Sequence, residues 1–156
     1  MKEIHLINFT QCSSDELAMI LEWRNAKQIQ KWMLNDADIK LSSHLAFVNS
    51  LNESSNKLYF LIKEEKAYLG VVDFTDITQE SSHIGLYKNP NLYGVGEKLM
   101  QVICDYATKT LHLRKLYAEV FVQNQKAIEL YKKFGFTQVN LRVIDTKELL
   151  TMEYKI

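Results

Sequence analysis

The sequence of 156 residues contains few cysteines, prolines and glycines: it has two cysteines, one proline and five glycines. Cys12 and Cys104 lie far apart without a CxxC partner, so they indicate neither a disulfide framework nor a zinc site. No apolar run approaches the roughly 18 residues that a membrane span needs. The first residues also lack an apolar signal core. We therefore expect a cytoplasmic protein without a membrane partner.

The sequence also lacks an excess of charge of either sign. Lys+Arg and Asp+Glu balance at 19 each, which favours neither nucleic acid nor an anionic membrane as a partner. The hydrophobic fraction of 47% is ordinary for a globular protein. This length and composition predict a single domain over residues 1–156, with enough apolar residues for a core.

The hydrophobic periodicity predicts an alternation of strands and helices. Strands are expected at 4–9, 57–64, 67–76, 82–87, 116–122, 137–144 and 148–154. Helices are expected near 13–23, 29–33, 42–51, 97–111 and 127–134. The order describes an α+β protein with a mixed sheet and a strand–helix–strand unit near its centre.

Two of the five glycines, Gly94 and Gly96, come immediately before the predicted helix at 97–111. A helix N-terminus has N–H groups without partners and a partial positive charge. Glycines remove the Cβ atoms that would keep an anion away from the backbone, so the stretch is suited to phosphate. A plain turn remains the alternative, because neither a P-loop lysine nor the third glycine of a dinucleotide fingerprint is present.

A second block follows the next strand. Asn124, Ala127 and Tyr131 are spaced along the predicted helix, and Phe134-Gly135-Phe136 ends it. This block resembles the last block of the GCN5-related N-acetyltransferase (GNAT) family. The glycine stretch resembles that family's pyrophosphate loop, with Asn91 where Gln or Arg is usual.

The resemblance implies a GNAT fold: a mixed, mostly antiparallel sheet with a splayed parallel strand pair, flanked by helices. It also implies that acetyl-CoA is the cosubstrate and that its acetyl group passes directly to an amine, without a metal. The expected acetyl-CoA contacts are Ile84, Leu86 and Tyr87 along the pantetheine arm, Tyr93, Gly94, Val95, Gly96, Glu97 and Lys98 at the pyrophosphate, and Asn124, Ala127 and Tyr131 from the second block.

Three polar side chains are candidates for proton transfer. By the resemblance, Tyr131 lies near the thioester sulfur and protonates the departing thiolate; an aromatic core residue is the alternative. Glu119 and Asp73 each interrupt an apolar strand, where a carboxylate is costly unless it is paired, hydrated or useful. Either can serve as the base for an ammonium substrate, with Glu119 placed ahead, or can simply face solvent. His83, on the cofactor strand, is assigned no role.

The N-terminal half carries another pattern: Trp23-Arg24-Asn25, Trp32-Met33, Ile39, His44 and Phe47. It resembles a narrower group, the UDP-4-amino-4,6-dideoxy-N-acetyl-altrosamine N-acetyltransferases of pseudaminic acid biosynthesis, which serves flagellin glycosylation. The small-molecule substrate would then be a UDP-aminosugar. The implied roles are phosphate binding by Arg24, hydrogen bonding to phosphate or ribose by His44, an apolar wall from Met33, Phe47 and Tyr87, and a further substrate contact at Thr75.

Simpler interpretations remain for these residues. Arg24 can pair with Glu22 or Asp15 on a helix surface, and Met33 and Phe47 can be core residues. Two other functions also remain: a protein or ribosomal-protein N-terminal acetyltransferase, and a CoA-binding module without turnover. A homodimer through the last strands is compatible with the family.

Overall fold

The computed structural model describes residues 2–156, and a mixed sheet is its central feature. The strands are β1 Ile4–Asn8, β2 Leu58–Glu64, β3 Ala67–Thr75, β4 Ser81–Lys88, β5 Lys115–Phe121, β6 Thr137–Ile144 and β7 Lys147–Lys155. Within the described residues they form one seven-stranded sheet in the order β1-β2-β3-β4-β5-β7-β6. The β4–β5 pair is parallel and the other pairs are antiparallel. The expected α+β mixed sheet is confirmed.

The helices cover both faces of this sheet. They are α1 Ser14–Asn25, α2 Lys27–Gln30, α3 Leu41–Ser50, α4 Gly96–Lys109 and α5 Gln125–Lys133, with 3-10 turns at Phe9–Gln11 and Leu51–Glu53. Helices α4 and α5 bury their apolar stripes against one face, and α1 and α3 pack on the other. Among residues 2–156, no helix has both the length and the apolar character to cross a membrane.

Side-chain caps encoded in the local sequence explain where helices α1 and α5 begin. The Ser13 side chain accepts from the Glu16 N–H at 3.1 Å, and Glu16 Oε1 accepts from the Ser13 N–H at 2.9 Å, a reciprocal cap of α1. The Asn124 side chain accepts from the Ala127 N–H at 3.3 Å and begins α5. Gly135, with a φ of 97°, follows the end of α5 in the left-handed region that favours glycine.

The predicted helix at 29–33 is the main difference. α2 ends at Gln30, so Trp32 and Met33 belong to an irregular loop that runs from residue 31 to residue 40. Asn25 fixes the far end of this loop with two hydrogen bonds to the Ile39 backbone, 2.8 and 2.9 Å long. Within the loop the Asn35 side chain accepts from the Ala37 N–H at 3.2 Å, a local bond typical of turns. We call residues 31–40 the connecting loop.

The parallel pair separates part-way along its length. β4 pairs with β5 only from Ser81 to Ile84, opposite Lys115 to Ala118. Beyond that point β4 stays paired with β3, and β5 stays paired with β7. The two strands therefore leave a wedge-shaped gap in the sheet, with backbone groups facing it on both sides. The expected splayed pair is confirmed.

We expect a Gly70→Ala substitution to lower the free energy of unfolding by about 2 kcal/mol and the melting temperature by about 5 °C. A Cβ atom at Gly70 would lie 2.4 Å from the Tyr87 carbonyl oxygen and 2.9 Å from the Lys88 Cα, both backbone atoms that cannot move aside. The control is Gly94→Ala, where no heavy atom lies within 4 Å and only a φ of 71° resists the change, at about 1 kcal/mol. Thermal unfolding measures both. A Gly70→Ala variant as stable as Gly94→Ala would contradict the close approach.

Candidate active site

A cavity of about 870 Å³ lies where β4 and β5 separate, and it extends towards α1, α3 and the connecting loop. It brings together most of the residues that the sequence selected. Those in its lining are Arg24, Met33, His44, Phe47, Asp73, Leu86, Tyr87, Tyr93, Gly94, Val95, Gly96, Glu97, Glu119, Asn124, Ala127 and Tyr131. The cavity therefore joins the predicted cofactor region to the predicted acceptor region.

Three selected residues lie outside this lining. Ile84 is buried in the core, and Thr75 faces His83 across β3 and β4 at the other end of the strands. Lys98 turns away and donates to Glu64 at 2.9 Å. For Thr75 the structure thus offers no contact with the cavity. The roles of Ile84 and Lys98 concerned backbone groups, and they stay predictions.

The glycine stretch forms the start of α4 at one end of the cavity. No hydrogen bond among residues 2–156 begins at the N–H of residues 94–98, and Val95 at the N-cap provides no side-chain cap. The positive φ of Gly94 turns the chain into the helix. These free N–H groups can surround an anion. The neighbouring Glu97 pairs with Lys133, which neutralises a carboxylate that would otherwise repel phosphate.

Tyr131 of α5 lies beside the gap and is almost fully buried. Its ring packs on Phe136 with centroids 5.4 Å apart, and its hydroxyl has no hydrogen-bond partner among the described residues. Burial, and then the charge of Asp73, raise the pKa of Tyr131. The hydroxyl therefore keeps its proton and can donate it within the cavity.

Asp73 of β3 also has no hydrogen-bond donor among the described residues. Its carboxylate lies over Gly85 of β4, where an added Cβ would lie 2.5 Å from Oδ2. Burial raises the pKa of the Asp73 carboxyl from 3.8 to about 7. Since an enclosed carboxylate without a donor needs a proton or a cation, this group is suited to an ammonium ligand.

Glu119 of β5 has a different environment. Arg142 of β6 reaches it across β7 and donates twice, from Nε to Oε2 at 2.6 Å and from a terminal nitrogen to Oε1 at 2.8 Å. A bidentate pair of this kind occupies both carboxylate oxygens and holds the group in one orientation. The structure therefore favours Asp73 over Glu119 as the base, which reverses the order expected from the sequence.

Arg24 of α1 stands at the opposite end of the cavity from the glycine stretch, next to Tyr87. One terminal nitrogen donates to the Asn35 carbonyl of the connecting loop at 2.7 Å. The other is buried and has no partner, and among the described residues it is the one buried side-chain atom in that state. Burial lowers the pKa of Arg24, yet a guanidinium remains charged at neutral pH. No ion pair with Glu22 or Asp15 forms within residues 2–156.

His44 of α3 corrects one expected role. Its Nε2 lies 3.0 Å from the Leu17 carbonyl oxygen, and because a carbonyl only accepts, Nε2 carries the proton. Burial lowers the pKa of His44, so the ring is neutral and Nδ1 is an acceptor. His44 can therefore receive a hydrogen bond from a ligand hydroxyl, but it cannot donate one to a phosphate.

Several lining residues were given no site role from the sequence: Phe9, Gln28, Ile29, Trp32, Ile39, Tyr59, Gly85, Lys88, Val120, Phe121, Lys126 and Leu130. Trp32 faces Phe121 with centroids 6.5 Å apart. Tyr59 lies opposite Asp73 of β3, and this pairing could not be predicted from the sequence. No group of three or more His, Cys, Asp or Glu within residues 2–156 is placed to hold a metal.

Asp73→Asn tests the burial of the carboxyl. The pKa of Asp73 is about 7 in the folded chain and 3.8 in the unfolded chain. At a pH between these two pKa values, the folded state keeps the proton and the unfolded state has released it. The stability of the wild type therefore falls as the pH rises through this window, and asparagine removes that fall. We expect the melting temperature of the variant to rise relative to the wild type between about pH 4 and pH 8. Asp145→Asn, in an exposed turn, is the control. A difference that is constant with pH would contradict the raised pKa.

Known proteins share this geometry. Residues 17–136 match the model of the acetyltransferase (GNAT) family. Acetyltransferase PseH of Campylobacter jejuni (serotype O:23/36, strain 81-176) is 42% identical over 134 residues, which cover 86% of this chain and 85% of that protein. The crystal structure of C. jejuni N-acetyltransferase PseH in complex with acetyl coenzyme A has a TM-score of 0.81 at 37% identity and covers 98% of this chain and 99% of that chain.

A more distant structure repeats the fold. Spermidine N-acetyltransferase from Vibrio cholerae, in complex with CoA and spermine, has a TM-score of 0.85 at 19% identity and covers 97% of this chain and 95% of that chain. At this identity the likeness shows the fold alone. The expected GNAT fold is thus confirmed by two solved relatives. The chain belongs to the acetyltransferase (GNAT) family and is an enzyme of that class.

Proposed function

We propose that this acetyltransferase transfers the acetyl group of acetyl-CoA directly to the C4 amine of a UDP-linked 4-amino-4,6-dideoxy sugar, a step in pseudaminic acid biosynthesis. The observation that carries the proposal is the pair of unsatisfied charged groups in one cavity, the Asp73 carboxylate and the inner nitrogen of Arg24. An acceptor with an ammonium at one end and a phosphate at the other satisfies both. The likeness to PseH supports this acceptor.

Acetyl-CoA fits the end of the cavity next to the glycine stretch. The free N–H groups of residues 94–98 suit its pyrophosphate, and the gap between β4 and β5 suits its pantetheine arm. That arm can pair with the backbone groups that the separated strands leave free. The acetyl-coenzyme A complex of the C. jejuni relative supports this assignment.

The chemistry follows from the groups around the gap. Asp73 binds the ammonium and, with its raised pKa, takes one proton from it near neutral pH. The free amine attacks the thioester carbonyl, so that a C–N bond forms and the C–S bond breaks. N–H groups of β4 on the gap side stabilise the oxyanion. Tyr131 then donates its proton to the departing thiolate, and the second proton, which the nitrogen loses as the amide forms, returns to Tyr131 through solvent.

The acceptor end suits a nucleotide. The inner nitrogen of Arg24 can donate to a phosphate oxygen, and Met33 and Phe47 give an apolar wall for a base or a methyl group. His44 can accept from a ribose hydroxyl through Nδ1. A polycation such as spermidine would meet the Arg24 charge at this end, which disfavours it.

The cytoplasmic setting and the homodimer also stay predictions. The edge strand β6 supports the homodimer, because Val139, Leu141 and Val143 are 51%, 49% and 63% exposed. Unpaired strand edges with apolar side chains are common sites of chain–chain pairing.

The acceptor is tested by thiol release from acetyl-CoA with a UDP-4-amino-4,6-dideoxy sugar, peptides, spermidine and the free aminosugar. We expect release with the UDP-sugar, and a rise in its KM of about tenfold to hundredfold in Arg24→Gln, since a charged hydrogen bond is lost. The KM of the free aminosugar should not change, because it has no phosphate. Arg114→Gln, outside the cavity lining, is the matched control. Release with peptides alone would refute the acceptor, and no release with any amine would refute turnover.

The base is tested by the pH dependence of kcat/KM. We expect the wild-type rate to fall on the acid side of about pH 7, where Asp73 becomes protonated. Asp73→Asn should lower kcat about 100-fold or more and remove this limb. Glu119→Gln should retain the limb, because Arg142 already occupies that carboxylate. If Glu119→Gln removes the limb and Asp73→Asn does not, the two assignments must be exchanged.

A further inference from the structure

Tyr59, Asp73 and Gly85 form one row across three neighbouring strands. In the register of the sheet Tyr59 of β2 lies opposite Asp73, and Asp73 lies opposite Gly85 of β4. All three line the cavity. Because pairing between β4 and β5 ends at Ile84, the Gly85 end of the row borders the gap and the Tyr59 end is remote from it.

The Tyr59 ring is held in place by two aromatic neighbours. Its centroid lies 5.4 Å from that of Phe9 and 5.0 Å from that of Phe47, the latter in an edge-to-face arrangement. The hydroxyl has no hydrogen-bond partner among residues 2–156. Burial, and then the charge of Asp73, raise the pKa of Tyr59, so the hydroxyl keeps its proton. Tyr59 therefore supplies a protonated hydroxyl on a fixed ring, on the strand next to that of Asp73.

We propose that the Tyr59 hydroxyl binds the hydroxyl group next to the acceptor's amine, so that Tyr59 and Asp73 together recognise a vicinal amino alcohol. An amine on Asp73 faces the thioester across Gly85, so the neighbouring carbon of the acceptor extends towards Tyr59. A 4-amino-4,6-dideoxy sugar keeps its 3-hydroxyl at that carbon. The inference rests on the proposed function, and it identifies the 3-hydroxyl of the acceptor as the group that Tyr59 binds.

The other groups around Asp73 are less suited to this task. Tyr131, on α5, lines the cavity and is already assigned to the departing thiolate in the proposed reaction. Tyr87, on β4, stands next to Arg24, whose charge acts on it and belongs to the phosphate end. Glu119 is occupied by Arg142. Tyr59 is the tyrosine that lies directly opposite Asp73 in the strand register, where Cβ atoms are about 5 Å apart.

The test compares kcat/KM for two matched acceptors in the wild type and in Tyr59→Phe. The acceptors are the UDP-4-amino-4,6-dideoxy sugar and its 3-deoxy analogue, with 2-aminocyclohexanol and cyclohexylamine as a simpler pair. We expect the wild-type kcat/KM to be about tenfold to hundredfold higher for the acceptor that carries the hydroxyl, because the deoxy acceptor leaves the Tyr59 hydroxyl without a partner. In Tyr59→Phe the preference should disappear, while the rate with the deoxy acceptor stays within about twofold.

Phenylalanine keeps the ring contacts with Phe9 and Phe47, so the variant removes only the hydroxyl. Tyr117→Phe, a strand tyrosine outside the cavity lining, should leave the preference unchanged. An equal loss with both acceptors would reduce Tyr59 to a structural residue and overturn the inference, as would a wild type without preference. Preference in the simple pair without activity on either UDP-sugar would refute the proposed acceptor alone. Inactivity with both pairs would refute the inference together with the proposed function.

Discussion

The loss of pairing between β4 and β5 is the constraint on which the site depends. Two parallel strands share a short ladder and then each keeps its outer partner, so the sheet continues while its middle opens. The opening leaves free the backbone N–H and C=O groups that would be hydrogen-bonded between the strands in a continuous sheet. It also admits Tyr131 of α5 from one side and the row ending at Gly85 from the other. Both halves of a two-substrate reaction can therefore meet inside one sheet.

The charged side chains of the cavity fall into two groups: those paired within the protein, and those that can pair with a ligand. Glu119 and Glu97 are each neutralised by a cation from a neighbouring element. Among residues 2–156, the inner nitrogen of Arg24 has no hydrogen-bond partner, and burial alone acts on the Asp73 carboxyl. Unpaired buried groups cost stability, so their presence fits a site whose partners arrive with the substrate. For the proposed acceptor, the distance between its ammonium and its phosphate would be a criterion for selection.

Much of the fold could be predicted from the sequence, because alternation and helical spacing are local signals. Every predicted strand agrees with the structure within one residue at each end, and the helix predicted at 127–134 is found as α5, which the Asn124 side chain caps. The helix predicted at 29–33 extends wrongly into the connecting loop, because the tie that holds this loop, from Asn25 to Ile39, joins residues 14 positions apart. The Arg142–Glu119 pair and the row from Tyr59 to Gly85 depend on strand register, which one sequence does not reveal.

Arg24 has a consequence for how the acceptor end takes its shape. One nitrogen of this guanidinium donates to the Asn35 backbone carbonyl of the connecting loop. The other has no partner among residues 2–156 and can donate to a ligand. Trp32 and Met33 are carried by that loop, and both form part of the cavity wall. An anion that immobilises the guanidinium thereby restrains the wall as well. If an anion binds Arg24 in this way, affinity for the charged end of a ligand and fit around its apolar end are thermodynamically linked.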